Sequence, residues 1–266
     1  MSRTSGTSAA VDPLYIGVST KMYLGYQESL RWLSEVRAVV DARPALAAGR
    51  DVRVFVIPSF PVLAEAGKIL AGSPALLGAQ NCAWGDGALT GEVSPGMLAE
   101  LGVSLVELGH AERRALFGEN DDVVARKVRA AVDAGLTPLL CIGEPGTLGP
   151  EEAAAFCLRQ VRAATGGDES LTPRLVLAYE PVWAIGADQP AAPTYVNAVV
   201  QLIRQGLGAP CPIIYGGSAG PGLLPQLASA DGLFLGRFAH DASNLGRVLD
   251  EALQTFAPAS SSSSRS

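Results

Sequence analysis

Short apolar runs alternate with amphipathic helical segments along almost the whole chain, and this strict alternation limits the fold more than any other feature. Eight such runs are predicted to be strands, at 14–18, 53–57, 76–80, 105–108, 137–142, 175–180, 212–215 and 232–235. Strands that alternate with helices form a parallel sheet, and eight strand–helix units of this length close into a barrel. The predicted fold class is therefore α/β, a (β/α)8 barrel that spans 13–256 as one domain.

An open, doubly wound sheet is the competing architecture. It would need a glycine-rich nucleotide-binding turn after the first strand, where the sequence instead reads Ser19-Thr20-Lys21. The two ends of the chain, 1–12 and 257–266, are rich in small and polar residues, and the second is a serine-rich tail. We expect both ends to be disordered, because such segments cannot bury enough apolar surface to fold.

Composition argues against several functional classes. The net charge of −6 disfavours non-specific binding to nucleic acid. No apolar run approaches the length of a membrane span, and residues 1–12 lack the apolar core of a signal peptide. Four cysteines without metal-type spacing and only two histidines argue against a transition-metal site. We therefore expect a cytoplasmic protein with free thiols that binds neither nucleic acid nor a membrane.

The segment 178–186, which reads AYEPVWAIG, carries the first candidate catalytic group. Glu180 ends an apolar strand, and Pro181 favours an extended backbone there. The residues that follow are apolar although they form a loop, which is typical of a lid that closes over a ligand and excludes water. Desolvation under a lid raises the proton affinity of a carboxylate, so Glu180 is predicted to be a general base. The alternative is that Glu180 pairs with an arginine and the loop packs on a neighbouring element.

Residues just past the strands of such a barrel face one rim. His110 follows the fourth strand, and a helix beginning there would keep its ring neutral and able to donate a hydrogen bond to a carbonyl. Lys21 directly follows the first strand, where a cation can hold an anionic substrate. The residues expected to converge at the rim are Lys21, Asn81, His110, Glu112, Glu180, Ser218, Gly236 and Arg237.

Glycine-rich turns follow the seventh and eighth strands, at 216–218 and at Gly236. Barrels commonly bind phosphate at this position through backbone N–H groups, and Gly186 in the predicted lid could add another. A phosphate site beside a base, a neutral imidazole and a cation predicts aldose–ketose isomerisation of a small phosphorylated sugar through an enediolate. Such a reaction needs neither a metal nor an organic cofactor.

These residues lie in motifs that resemble the triosephosphate isomerase family over residues 15–249. The matching segments are Lys21-Met22, 78–82 (GAQNC), 91–95 (GEVSP), 108–114 (LGHAERR), 141–144 (CIGE), 178–186 and 215–218 (YGGS). The resemblance implies that Glu180 is the base, His110 the electrophile and Lys21 a substrate-binding residue, and that Glu112 supports the site by charge pairing. The expected reaction interconverts glyceraldehyde 3-phosphate and dihydroxyacetone phosphate.

The resemblance also implies how phosphate binds and how the chain assembles. The main-chain N–H groups of Gly186, Ser218 and Gly236 would bind the phosphate. The family is usually a homodimer, so the loop at 81–91 is expected to insert into a partner subunit.

The substrate-binding residues depart from the family pattern at several positions. Ser19 stands where the family has an asparagine that donates to the substrate, and its shorter side chain would need a bridging water. Ala111 replaces the serine after the histidine, and Asp188 places a negative charge in the lid hinge. Arg237 replaces a glycine of the phosphate turn, where a guanidinium could bind phosphate in bidentate fashion or alter which sugar fits. A tetrose phosphate such as erythrulose phosphate is therefore the main alternative substrate.

Two other classes remain open. One is an aldolase that forms a Schiff base with Lys21, and the other is a barrel that binds phosphorylated sugars without turning them over. Three charged side chains receive simpler predictions. Glu107, unusual inside the fourth strand, could partner a nearby cation, and Lys68 and Lys127 are predicted to lie on exposed helix faces.

Overall fold

Eight parallel strands form a closed barrel in which each strand pairs with its neighbours in chain order and β8 pairs with β1. A computed structural model describes residues 13–48 and 51–256. The strands are β1 (Leu14–Ser19), β2 (Val52–Ile57), β3 (Leu76–Ala79), β4 (Leu105–Leu108), β5 (Thr137–Ile142), β6 (Val176–Tyr179), β7 (Ile213–Tyr215) and β8 (Gly232–Leu235). The predicted (β/α)8 barrel is confirmed, whereas the predicted disordered ends, 1–12 and 257–266, lie outside the described residues.

Helices follow the strands and pack around the barrel. They are α1 (Tyr26–Asp41), α2 (Leu63–Leu70), α3 (Pro95–Glu100), α4 (Ala111–Phe117), α5 (Asp121–Asp133), α6 (Pro150–Thr165), α7 (Pro193–Gly206) and α8 (Ala242–Phe256). The strict alternation predicts a helix between β7 and β8 as well, but this segment forms only a 3-10 turn, Leu224–Gln226. Leu227 leaves the helical conformation, with ψ at 59°, because the chain must enter β8 a few residues later. Within the described ranges, no helix combines the length and apolarity needed to cross a membrane.

Two apolar layers explain why the strands read as nearly continuous apolar runs. Successive strand residues point to opposite faces, so β6 sends Val176 and Ala178 into the barrel and Leu177 and Tyr179 toward the helices. The barrel interior is filled by Phe55, Ile57, Leu105, Leu139, Cys141, Val176, Ala178, Ile214 and Phe234. Because both faces are covered, neither has to be polar. Polar groups collect instead where the strands end.

Lys127 contradicts the prediction that it is exposed, since only 1% of its surface is accessible. It occupies the apolar stripe of α5 with Val124, Val128 and Ala131, at the i, i+3, i+4 and i+7 spacing of a buried helix face. Its Nζ lies 2.5 Å from Oε1 of Glu119, so the buried charge is paired. The helical periodicity therefore indicates that Lys127 is buried, whereas its charged side chain had suggested that it is exposed.

Asn81 also differs from its predicted place. It is buried in the same cluster, where its Oδ1 accepts a hydrogen bond from Lys127 at 3.0 Å and its Nδ2 donates to Glu119 at 3.3 Å. It does not line the cavity at the rim. The side chain turns outward from the barrel because the buried Lys127–Glu119 pair supplies both a donor and an acceptor for its amide.

Candidate active site

A cavity of about 760 Å³ opens at the carboxyl ends of the strands. Asn81 was expected at the same rim but does not line this cavity, which gathers every residue predicted as catalytic or substrate-binding. These residues are Ser19, Lys21, His110, Glu112, Glu180, Gly186, Ser218, Gly236 and Arg237. The barrel therefore brings together side chains that are separated by more than two hundred positions in the sequence.

Glu180 lies directly after β6 and is buried. Its backbone N–H donates to the carbonyl of Ile142 at 2.8 Å, so the turn out of β6 is held against β5. A Cβ at Gly216 would lie 2.5 Å from Oε1 of Glu180, which explains why a glycine directly follows the neighbouring β7. Burial raises the pKa of this carboxyl well above the ordinary 4.5, and nearby Glu107 raises it further. No arginine pairs with Glu180 among the described residues, contrary to the alternative interpretation of the sequence.

His110 faces Glu180, with Nε2 of the ring 3.4 Å from Oε2 of the carboxyl. The histidine caps α4, and its Nδ1 accepts a hydrogen bond from the backbone N–H of Glu112 at 3.1 Å. An accepting Nδ1 carries no proton, so the neutral ring has its proton on Nε2, the atom that faces the cavity. Burial lowers the pKa of His110 to about 4, and the positive charge of Lys21 acts in the same direction.

Lys21 forms an ion pair with Glu112 beside the cavity. Its backbone is left-handed, with φ at 48°, a conformation that non-glycine residues adopt rarely. The carbonyl of Lys21 accepts hydrogen bonds from Oγ of Ser59 at 2.6 Å and from Nε2 of Gln80 at 2.8 Å. These two contacts hold the strained turn in place and thereby fix the position of the ammonium group.

Glu107 is a second buried carboxyl that lines the cavity. Its Oε2 accepts a hydrogen bond from Oγ of Ser19 at 3.0 Å. The predicted cation partner is wrong, since no ion pair to Glu107 occurs in the described parts of the chain. Burial raises the pKa of Glu107 to about 7, although the Ser19 hydrogen bond and the charge of Lys21 both oppose the rise. A carboxyl with such a pKa can be uncharged near neutral pH.

The apolar loop after β6 is attached at both of its ends. It begins with a 3-10 turn, Val182–Ala184, in which Nε1 of Trp183 donates to Glu144 at 3.0 Å. At its far end the N–H of Ala191 donates to the hydroxyl of Tyr215 at 3.0 Å. Between these points, Ile185 to Pro190 line the cavity. The loop thus forms one wall of the cavity, as expected for a segment predicted to be a lid.

Next to this loop, the cavity lining combines backbone groups with the guanidinium of Arg237. Gly186, Ser218 and Gly236 come from three different loops, and Oγ of Ser218 donates to the carbonyl of Ala187 at 2.6 Å. Arg237 is exposed and extends toward Gly186, where a Cβ would lie 3.8 Å from its Nη2. Arg237 has no carboxylate partner among the described residues, so its charge is available to an anion.

A family model described as triosephosphate isomerase matches residues 14–252. The chain belongs to the triosephosphate isomerase family. One relative, the L-erythrulose-1-phosphate isomerase of Pectobacterium atrosepticum, is 48% identical, with 90% of this chain and 95% of that protein covered. The enzyme of the same name from Rhizobium etli is 43% identical, with coverage of 85% and 87%. The triosephosphate isomerase of a Synechococcus strain is 38% identical, with coverage of 93% and 99%.

The family resemblance recognised in the sequence motifs is therefore confirmed. Within this triosephosphate isomerase family member, the motif residues Glu180 and His110 face each other, whereas Ser19 departs from the family pattern and binds Glu107. Sequence reasoning did not place Glu107 among the site residues. The signal that could have done so was a single carboxyl in an otherwise apolar strand, two positions after the inward-facing Leu105.

Proposed function

We propose that this protein is an isomerase of a phosphorylated four-carbon ketose, with erythrulose 1-phosphate as the substrate. The observation that carries the proposal is that a buried carboxyl, Glu180, faces a neutral imidazole, His110, at 3.4 Å. Both line a cavity that also holds Arg237, which has no carboxylate partner within residues 13–48 and 51–256. The names of the relatives at 48% and 43% identity favour the four-carbon substrate. They support the alternative raised from the sequence better than the triose substrate expected first.

Each residue has a distinct role in the proposed reaction. Glu180 takes the proton from the carbon next to the ketone, and Nε2–H of His110 donates a hydrogen bond to the oxygen on which negative charge develops. Lys21 adds electrostatic stabilisation to that charge, and Glu112 orients Lys21. A glutamate base, a neutral histidine and a closing loop are the known chemistry of triosephosphate isomerase itself.

The phosphate on C1 determines that the ketone at C2 can move only to C3. In erythrulose 1-phosphate the ketone is at C2, and C1 carries the phosphate. Isomerisation therefore removes a proton from C3, forms an enediolate across C2 and C3, and returns the proton to C2. The ketone moves to C3, so the product is also a ketose phosphate, and no atom is gained or lost.

We place the phosphate at the wall formed by Gly186, Ser218, Gly236 and Arg237. Backbone N–H groups at glycine-rich turns bind phosphate well because no side chain blocks the approach. The guanidinium of Arg237 would add a charge-assisted contact. It takes the place of a glycine in the family pattern, so part of the phosphate affinity would shift from the backbone to this side chain.

We further propose that the protein is a homodimer. Several large apolar side chains that follow β1, β3 and β4 are exposed, with Met22 at 88%, Leu116 at 73% and Phe117 at 64%. Exposed apolar groups of this size are typical of an interface. Sedimentation equilibrium should give a dimer that Phe117→Glu weakens, and a monomeric wild type would contradict the proposal. The insertion of loop 81–91 into the partner and the cytoplasmic location stay predictions.

The deciding experiment compares kcat/KM for L-erythrulose 1-phosphate with that for glyceraldehyde 3-phosphate. We expect faster turnover of the four-carbon substrate, with Glu180→Asp as a control that lowers both values by roughly 10²-fold or more. Faster turnover of the triose would assign the protein to triosephosphate isomerisation instead. Binding of a phosphorylated sugar without turnover of either substrate would favour a binding role. Borohydride trapping of substrate on Lys21 would indicate an aldolase.

A further inference from the structure

Glu107 spans the barrel beneath the reacting groups. It belongs to β4, whereas its hydrogen-bond partner Ser19 ends β1, which pairs with β2 and β8 but not with β4. The carboxyl therefore crosses the barrel interior to reach Ser19, above the inward-facing Leu105. Only Oε2 of Glu107 takes part in this contact. Its Oε1 makes no hydrogen bond within residues 13–48 and 51–256 and is accessible from the cavity.

The barrel topology separates Glu107 from the phosphate wall. In a closed ring of eight strands, β4 lies opposite β8, and Gly236 and Arg237 directly follow β8. A substrate whose phosphate rests on that wall must extend its carbon chain toward β4. The far end of the chain, beyond the carbon that faces Glu180, then approaches Glu107.

Substrate chemistry supplies a group for that position. Dihydroxyacetone phosphate ends in the hydroxymethyl carbon that loses its proton. Erythrulose 1-phosphate has one more hydroxymethyl group attached to that carbon. The proposed four-carbon substrate thus carries a terminal hydroxyl that the three-carbon substrate lacks. Serine at position 19 is smaller than the family's asparagine and leaves more space beside the reacting carbons.

We propose that Glu107, held in place by Ser19, binds the terminal C4 hydroxyl of the substrate and thereby selects four-carbon over three-carbon phosphates. The inference rests on the proposed function, which it deepens by naming a specificity residue. A site with a buried polar group also disfavours a ligand that cannot satisfy it. A three-carbon ligand would leave the free oxygen of Glu107 without its partner, so the pair both attracts one substrate and penalises the other.

The first test uses Glu107→Leu, which keeps the approximate volume and removes the polar group. We expect kcat/KM for L-erythrulose 1-phosphate to fall roughly 10- to 100-fold, the range for losing a hydrogen bond to an ionisable group. The value for glyceraldehyde 3-phosphate should stay within about threefold or rise. Glu107→Gln retains polar atoms at the same place and should restore most of the preference. Ser19→Ala should raise KM for the four-carbon substrate alone.

The matched control is Leu105→Ala, which perturbs the same strand and the same barrel face without touching the carboxyl. It should leave the ratio of the two kcat/KM values unchanged, whatever it does to stability. If Glu107→Leu lowers both values equally, Glu107 is a structural residue and the inference is wrong. The inference also fails if Glu107→Leu changes neither value.

A binding measurement separates this inference from the proposed function. Calorimetry with erythritol 4-phosphate and glycerol 3-phosphate compares a four-carbon and a three-carbon ligand without any reaction. We expect tighter binding of the four-carbon ligand by wild type and loss of that difference in Glu107→Leu. A wild type that prefers triose in turnover overturns the proposed function. Equal binding of the two ligands by wild type overturns the role of Glu107.

Discussion

Replacing Glu107 with glutamine should remove part of the pH dependence of stability. Burial raises the pKa of Glu107 from 4.5 to about 7 in the folded protein. Between these values the unfolded chain has released the proton and the folded chain still holds it. The contribution of Glu107 to stability is therefore complete below pH 4.5 and is lost as the pH rises toward 7. Glutamine does not titrate, so Glu107→Gln lacks this loss.

The magnitude follows from the same two values. At about 1.4 kcal/mol per pH unit, the interval corresponds to about 3 kcal/mol in the free energy of unfolding. Urea unfolding of wild type and Glu107→Gln at pH 4.5 and pH 8 should show the variant gaining that amount relative to wild type at the higher pH. Glu119→Gln provides a control of opposite sign. Burial would raise the pKa of Glu119, but hydrogen bonds from Lys127 and Arg113 outweigh it and lower the pKa.

The stability that Glu119 contributes is therefore present above its ordinary pKa and is lost as the pH falls. Wild type and Glu119→Gln should differ most at high pH, with wild type the more stable. The reasoning about Glu107 would be refuted by a stability difference between wild type and Glu107→Gln that is the same at pH 4.5 and pH 8.

Three further results are expected. Glu107→Gln should move the acidic limb of the kcat/KM profile to lower pH, because Glu107 helps to raise the pKa of Glu180; an unchanged limb would contradict this. Nitrogen NMR should find His110 neutral from pH 5 to pH 9, with its signals assigned by a His240→Asn variant, whereas titration near 6.5 would contradict the pKa of about 4. Lys127→Met should cost about 3 kcal/mol in urea unfolding by leaving Glu119 without its ammonium partner, with exposed Lys68→Met as the near-neutral control.

The barrel could be predicted from sequence because its two apolar layers leave a repeated pattern. Each strand is covered on both faces, so it reads as an uninterrupted apolar run, and each helix shows a periodic stripe. The turn at Leu224–Gln226 was harder to predict, because a few apolar residues beside a proline fit a short helix and a 3-10 turn equally well. Local pattern does not specify how soon the next strand must begin.

The positions of Glu180, His110 and Lys21 were also predictable, since a closed barrel places every strand end at one rim. Partners of polar side chains were not. Lys127 was assigned to an exposed face by residue type and Asn81 to the rim by its position after a strand, yet both meet Glu119 in a buried cluster formed by three separate segments. Glu107 was expected to meet a cation, but its partner is Ser19, from the other side of the barrel. Such pairings depend on distances that no single segment of sequence contains.

The charges around the cavity explain how one carboxyl can act as a base while another remains a hydrogen-bonding group. Glu107 and Glu180 are both buried, and each additional negative charge there is costly unless a cation offsets it. The positive charge of Lys21 opposes the rise in the pKa of both carboxyls that burial causes. Since a single ammonium cannot offset two buried carboxylates, binding of substrate favours one ionised and one protonated group. Ionised Glu180 can accept the substrate proton, and protonated Glu107 can then donate to the C4 hydroxyl oxygen. Catalysis by Glu180 and binding by Glu107 thus both depend on Glu107 holding its proton while Glu180 is ionised.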